Sequence, residues 1–154
     1  MKSILDRIFV DGLGGMAQGL FATLIIGTII QQIGNLVGGN TGELIFLVGK
    51  MAAAMTGAGI GVGVARKFNA EHLVVVSAAT AGMIGAFATQ ILSGTIMDGN
   101  TVLLSGPGEP LGAFLAAYLA IEVGSLIAGK TKLDIIVTPL VCIGTGSLIG
   151  LLLG

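Results

Sequence analysis

Long apolar runs alternate with short polar connections along this chain, and the pattern predicts its secondary structure. Five runs each approach the roughly 20 residues that a helix needs to cross the hydrocarbon core of a bilayer. No water satisfies backbone groups inside lipid, so the runs are predicted to be helices rather than isolated strands. The predicted spans are about 16–37, 44–65, 73–92, 111–128 and 135–153.

Residues 1–13, which precede the first run, mix charged and apolar side chains. The apolar ones fall on one side of a helix, and charged residues interrupt any signal-peptide core; the apolar set is Ile4, Leu5, Ile8 and Phe9. The pattern is typical of a short amphipathic segment at a membrane surface.

Basic residues flank only alternate spans. Of the seven Lys and Arg residues, only Lys50 lies within a span, and none lies in the loops 38–43 and 93–109. Since basic residues in short loops stay cytoplasmic, the N-terminus is predicted inside and the C-terminus outside. An odd number of spans with this bias is typical of one half of an inverted-repeat transporter. The flanking residues are Lys2, Arg7, Arg66, Lys67, Lys130 and Lys132.

Composition agrees with a membrane protein. The mean hydropathy is +1.02 and only 10% of residues are charged, against about a quarter in soluble domains. The formal net charge of -1 gives no reason to expect a nucleic-acid partner. The fold predicted is therefore an all-α integral membrane protein of one domain, with the lipid bilayer as its surroundings.

Glycine supplies 27 of the 154 residues. Small residues four apart let helix backbones approach closely in a bilayer. In 57–63 every other residue is glycine, which indicates either close packing or a locally unwound helix near a transport site. The small-residue pairs are Gly15/Gly19, Gly57/Gly61, Gly59/Gly63, Ala81/Gly85 and Gly146/Gly150.

No catalytic, metal-binding or cofactor-binding constellation is apparent. Residues 124–131 match the phosphate-loop pattern G-x-x-x-x-G-K-[ST], but they follow an apolar helix where that motif requires a strand. We therefore interpret them as the end of the fourth span, with Gly129 as a cap and Lys130 as an anchor. His72 stands alone and is interpreted as an interfacial residue.

Two charges lie inside predicted spans. Burying Lys50 or Glu122 in hydrocarbon costs roughly 2–4 kcal/mol, so each should face protein or water. Glu122 is interpreted either as a residue on a polar transport pathway or as a snorkelling or structurally paired carboxylate. For Lys50, snorkelling to the outer surface is the simpler alternative to a functional role. Lys50 is also a candidate charge partner of Glu122.

The longest connection ends in Gly106, Pro107, Gly108 and Glu109, directly before Pro110. Proline suits the first position of a helix, so the fourth span is predicted to begin there. Glu109 is then either an exposed residue at a helix start or part of a loop that dips into the membrane and binds a polar ligand.

Three stretches resemble a known family. They are 11–27, which opens the first span, 109–114, which opens the fourth, and 125–139, which joins the last two spans. Together they resemble the bacterial phosphotransferase-system enzyme IIC-like membrane proteins. In that family this chain corresponds to the N-terminal half. The resemblance implies a permease in the bacterial cytoplasmic membrane that moves a sugar or similar polar solute, while cytoplasmic phosphotransferase components carry out the phosphorylation.

The function expected is thus that of a permease subunit rather than an enzyme, working by alternating access. The expected ligand contacts are Glu109 with the 106–108 backbone, then Glu122 and Lys50. The partner is expected to be a second transporter half or another copy of the chain. The alternatives are an ion-coupled carrier with Glu122 as proton site and a non-transporting assembly or regulatory subunit.

Overall fold

The computed structural model describes residues 3–153, which are mostly helical and include one small hairpin. Lys2, used above for orientation, lies outside this range. In chain order the elements are α1 (Ile4–Val37), α2 (Gly39–Ala54), α3 (Thr56–Lys67), α4 (His72–Ala86), α5 (Ala88–Ser93), β1 (Met97–Asp98), β2 (Thr101–Val102), α6 (Pro110–Ile127) and α7 (Asp134–Leu153).

The first helix begins earlier than the predicted span. α1 runs for 34 residues from Ile4, so residues 4–13 are not a separate element but continue into the helix. Two stretches of α1, Arg7–Gly12 and Phe21–Ile25, are wound as π-helix. Such turns insert an extra residue into the α-helical ladder and often mark functional positions.

The second and third predicted spans are each interrupted. α2 and α3 meet at Met55 with a bend of 48°, and α4 and α5 are separated at Phe87. Within residues 3–153, α1, α6 and α7 are long and apolar enough to cross a membrane, and the bent pair α2–α3 makes a fourth candidate. The count of five spans, the repeat and the orientation stay predictions.

The core lies where α3, α4, α6 and α7 pack together with the first half of α1. Its larger side chains are few, and many positions are alanine or glycine. Phe87 and Phe114 are the bulkiest members, with Ile60, Val64, Val74 and Ile121 filling the space between helices. Close approach of backbones therefore replaces the usual interlocking of large side chains.

The alternating glycines of α3 serve two different neighbours. Successive residues of a helix are 100° apart, so residues two apart point in nearly opposite directions. Gly59 and Gly63 contact α1 at Gly19 and Gly15, whereas Gly57 and Gly61 contact α4. α3 is thus held between two helices at backbone distance. This is the close-packed alternative, and the stretch is regular helix rather than unwound.

The rest of α1 and all of α2 form a hairpin that projects from this core. We call residues 26–54 the arm. The chain reverses at Gly38, and the two helices touch through Gly27, Gly34, Gly42 and Gly49. Large apolar side chains cover its outer faces, among them Ile29, Ile33, Leu36, Leu44, Leu47, Val48 and Met51, each at least 46% exposed. Such a surface suits contact with lipid.

The arm joins the core at two interruptions. On the α1 side lies the π-helical turn Phe21–Ile25, and on the α2 side lies the bend at Met55. The Thr23 hydroxyl donates to the Gly19 carbonyl (2.7 Å) and lies 3.4 Å from the hydroxyl of Thr56, which is itself completely buried. The two ends of the arm are therefore side by side.

Candidate functional site

The connection before α6 folds back onto the interruption between α4 and α5. The Glu109 backbone amide donates to the Ala86 carbonyl (2.7 Å), the last residue of α4. Close by, the Gln90 side-chain amide donates to the Ser105 carbonyl (3.3 Å). Because helix α4 stops at Ala86, its free carbonyl is available to hold the loop. The loop and the broken helix thereby build one cleft.

Glycine is required at two positions of this loop. Gly106 and Gly108 have φ angles of 77° and 75°, a region that costs other residues roughly 1–2 kcal/mol. At Gly108 a side chain would also meet α4, since a β-carbon there would lie 2.7 Å from the Ala86 carbonyl oxygen. The backbone of the predicted loop is therefore held against α4 in a specific shape.

The cleft has a volume of about 510 Å³ and an uneven polar lining. Glu109 supplies a carboxylate, Gln90 an amide and Thr89 a hydroxyl, and the loop residues supply the rest of the lining. Groups of this kind hydrogen-bond to hydroxyl-rich solutes. Its lining consists of Ala86, Thr89, Gln90, Ser105, Pro107, Gly108, Glu109 and Pro110.

Glu109 stands at the start of α6. Pro110 opens that helix, which confirms the predicted start of the fourth apolar helix. The Glu109 side chain is exposed and makes no capping hydrogen bond to α6. The carboxylate is therefore free to accept hydrogen bonds from a ligand in the cleft.

Glu122 lies elsewhere, beside the beginning of α1. Its Oε1 atom is 2.9 Å from Nη2 of Arg7, and the two side chains are 36% and 42% exposed. The guanidinium also lies 4.5 Å from the centre of the Phe68 ring, which meets Tyr118 edge-on. Arg7, rather than the candidate partner Lys50, is thus paired with Glu122, because the beginning of α1 reaches α6.

Lys50 lies on the arm in a cleft of its own. That cleft, of about 300 Å³, is lined by Leu47, Lys50, Met51, Ala54, Met55 and Leu104. Leu104 belongs to the same connection as Gly106 and Glu109, so Lys50 lies on the side of the protein where the loop folds. The structure thus groups Pro107, Gly108 and Glu109 in one cleft, with Gly106 in the same loop but not in its lining, and places Lys50 and Glu122 outside it.

Two residues that line the loop cleft, Thr89 and Gln90, were not among the ligand contacts expected from the sequence. The sequence signal that could have indicated them is that these two polar residues are adjacent near the end of an apolar run. The connection itself contains the antiparallel pair β1–β2, with Met97 opposite Val102 and Asp98 opposite Thr101. Asp98, Gly99 and Asn100 are typical hairpin-turn residues.

The phosphate-loop pattern has the structural setting that the sequence indicated. Residues 124–127 belong to the last turn of α6, and Gly129 follows with a φ of 76°. The Gly129 amide donates to Oδ1 of Asp134 (2.8 Å), which fixes the turn into α7. Among residues 3–153 no three His, Cys, Asp or Glu side chains are grouped as a metal site would require.

A family model described as "Phosphotransferase system, EIIC" matches residues 10–154. No curated protein and no solved structure matches the chain. The matched region includes α1 from Val10 onward, the remaining helices and the loop cleft.

Proposed function

Because the chain belongs to the phosphotransferase system EIIC family, we propose that it is the membrane subunit of a sugar permease and that its solute contacts the loop cleft. EIIC proteins are the membrane components of such systems, so chemistry on the sugar falls to partner components. The observation that carries the proposal is the folding of residues 105–110 against the broken end of α4.

The construction of the cleft supports this role. A helix interrupted inside an apolar segment frees backbone groups, and transporters use such groups at their substrate sites. Here Phe87 separates α4 from α5, and Gln90 and Glu109 stand on either side of the resulting cleft. The arrangement offers both donors and acceptors to the hydroxyl groups of a sugar.

The proposed orientation places this cleft on the extracytoplasmic side. Arg7 and Lys67 line one cleft, and Arg7, Ser125 and Ala128 line another. The start of α1, the end of α3 and the end of α6 therefore lie at the same end of the molecule. That end would be cytoplasmic by the distribution of Lys and Arg. In this proposal the chain is half of an inverted-repeat carrier, and a second half or a second copy completes the pathway for alternating access.

The test is sugar-dependent stabilisation of the purified protein. A ligand that binds only the folded state raises stability by about 2.7 kcal/mol at a hundred times its Kd. We expect at least one sugar from a broad panel to raise the melting temperature, and Glu109→Gln and Gln90→Ala to reduce that shift at the same concentration. The matched control is Glu43→Gln, which removes an exposed carboxylate from the arm.

Uptake into cells completes the test. Cells that contain the cytoplasmic phosphotransferase components should accumulate the sugar that stabilises the protein, and Glu109→Gln should lower this uptake. Stabilisation that is equal in all variants would place the sugar outside the loop cleft. Uptake that needs only an ion gradient would identify an ion-coupled carrier, and a lack of response to any solute would favour an assembly subunit.

A further inference from the structure

Another cleft lies on the opposite side of α3 from α4, between α3 and α1. This groove has a volume of about 450 Å³. We propose that it binds one anionic phospholipid, with the phosphate at Arg66 and an acyl chain along the groove. Its lining consists of Gln18, Gly19, Ala22, Thr23, Met55, Ala58, Gly59, Val62, Gly63 and Arg66.

The glycines of the α1–α3 contact create the groove. Gly19, Gly59 and Gly63 bring the two backbones together, and the side chain nearest to Gly59 is that of Thr23. The walls are then formed by small or apolar residues such as Ala22, Ala58 and Val62. Val62 and Met55 remain 39% and 48% exposed. A flexible hydrocarbon chain fits a shallow apolar groove of this kind.

The charged lining residue, Arg66, lies at one end of the groove in the last turn of α3. Gln18 lies on α1 nearer the middle, since its neighbour Gly19 packs on Gly59, and the Thr23 hydroxyl towards the other end donates to the Gly19 carbonyl. An arginine guanidinium binds phosphate oxygens through two parallel hydrogen bonds. Gln18 adds a donor for the ester region of the same lipid. Charge complementarity thus sets the direction of the lipid in the groove.

The length of the groove corresponds to one leaflet. From Arg66 to Met55 there are eleven residues of helix, or about 16 Å at 1.5 Å per residue. Half of the hydrocarbon core of a bilayer is about 15 Å thick. A lipid whose phosphate is held by Arg66 would therefore end its chain near Met55, where α2 bends away. In the proposed orientation this is the cytoplasmic leaflet, whose surface is rich in anionic lipids.

The test is a titration with phosphatidylglycerol, followed by native mass spectrometry of the whole chain in mild detergent. We expect one tightly held lipid per chain and weaker retention of phosphatidylcholine. Arg66→Gln should reduce the affinity for phosphatidylglycerol by about tenfold or more, since it removes a charge-assisted contact. Lys67→Gln is the matched control, because Lys67 lines the other cleft beside Arg7 and Asp11. It should retain the lipid.

The acyl-chain part of the proposal has its own variants. Ala22→Leu fills the groove and should weaken retention, whereas Ala17→Leu, on an exposed part of α1 outside the groove, should not. Equal losses from Arg66→Gln and Lys67→Gln would reduce the effect to general attraction by basic residues and overturn the proposal. So would competition by inorganic phosphate at matched concentration, or a dimer whose cross-links join the groove residues of two copies and exclude lipid.

Discussion

The close contact between α1 and α3 makes a quantitative prediction about Gly15. A β-carbon added there would lie 2.5 Å from the Gly63 carbonyl oxygen and 2.7 Å from both the Gly63 carbonyl carbon and the Val64 α-carbon. Carbon atoms in good contact are about 3.5–4.0 Å apart. All three neighbours are backbone atoms, so no side-chain rotation relieves the overlap. Gly15→Ala must therefore move the two helices apart by about 1 Å.

The expected loss follows from that displacement. A gap of 0.5–1 Å already removes a quarter to a half of each dispersion contact, and inserting a methyl into a packed site typically costs about 1–3 kcal/mol. The matched control is Gly144→Ala, because a β-carbon on Gly144 meets no atom within 4 Å. There the better helix propensity of alanine adds up to about 1 kcal/mol.

The measurement is reversible unfolding in detergent, monitored by helical circular dichroism. Because both glycines lie in helices, the propensity gain is common to both variants, and Gly144→Ala should be more stable than Gly15→Ala by about 1–3 kcal/mol. Adding Gly63→Ala to Gly15→Ala should cost less than Gly63→Ala alone, because the helices have already separated. If Gly15→Ala is as stable as Gly144→Ala, the backbone contact between α1 and α3 does not exist as described.

Three further predictions concern charges and turns. In a double-mutant cycle of Arg7→Gln and Glu122→Gln, both side chains are more than a third exposed although the contacting Oε1 atom is itself buried, so the coupling in unfolding free energy should be about 1 kcal/mol, the upper end for exposed pairs; a value near 3 would mean a fully buried pair. Gly106→Ala should cost roughly 1–2 kcal/mol for its positive φ, and Gly108→Ala clearly more, because its methyl also strikes α4; equal melting temperatures would contradict this. Asp134→Ala, which loses hydrogen bonds to both the preceding turn and α7, should lower stability by about 1–2 kcal/mol in chemical unfolding, and an unchanged value would show that these bonds contribute nothing.

The helical content and the small-residue contacts were predictable from the sequence. Apolar runs gave the approximate extents of the helices, Pro110 marked the start of α6, and glycine spacing anticipated close packing. These signals are local, since each depends on residues within one or two turns. The glycines alternate in 57–63, but which of them contact α1 and which contact α4 could be assigned only once the positions of those two helices were known.

The interruptions and the ion pair were not predictable in the same way. Met55 and Phe87 carry no glycine or proline signal, and the breaks there arise where one helix leaves its neighbour for another. The Arg7–Glu122 pair joins residues far apart in the chain, and it required knowing that α1 extends back to Ile4. Of the candidate site, the loop 106–109 was anticipated, but Thr89 depended on the fold.

The contact of Gly15 with Gly63 also limits how this protein can evolve. In an ordinary core, a residue that grows can be accommodated when its neighbour shrinks, and such compensating pairs keep the total volume constant. Here both residues are already the smallest that exist, so neither can give way to the other. Any substitution at this crossing therefore introduces a larger residue, and it can be accepted only if the whole helix moves.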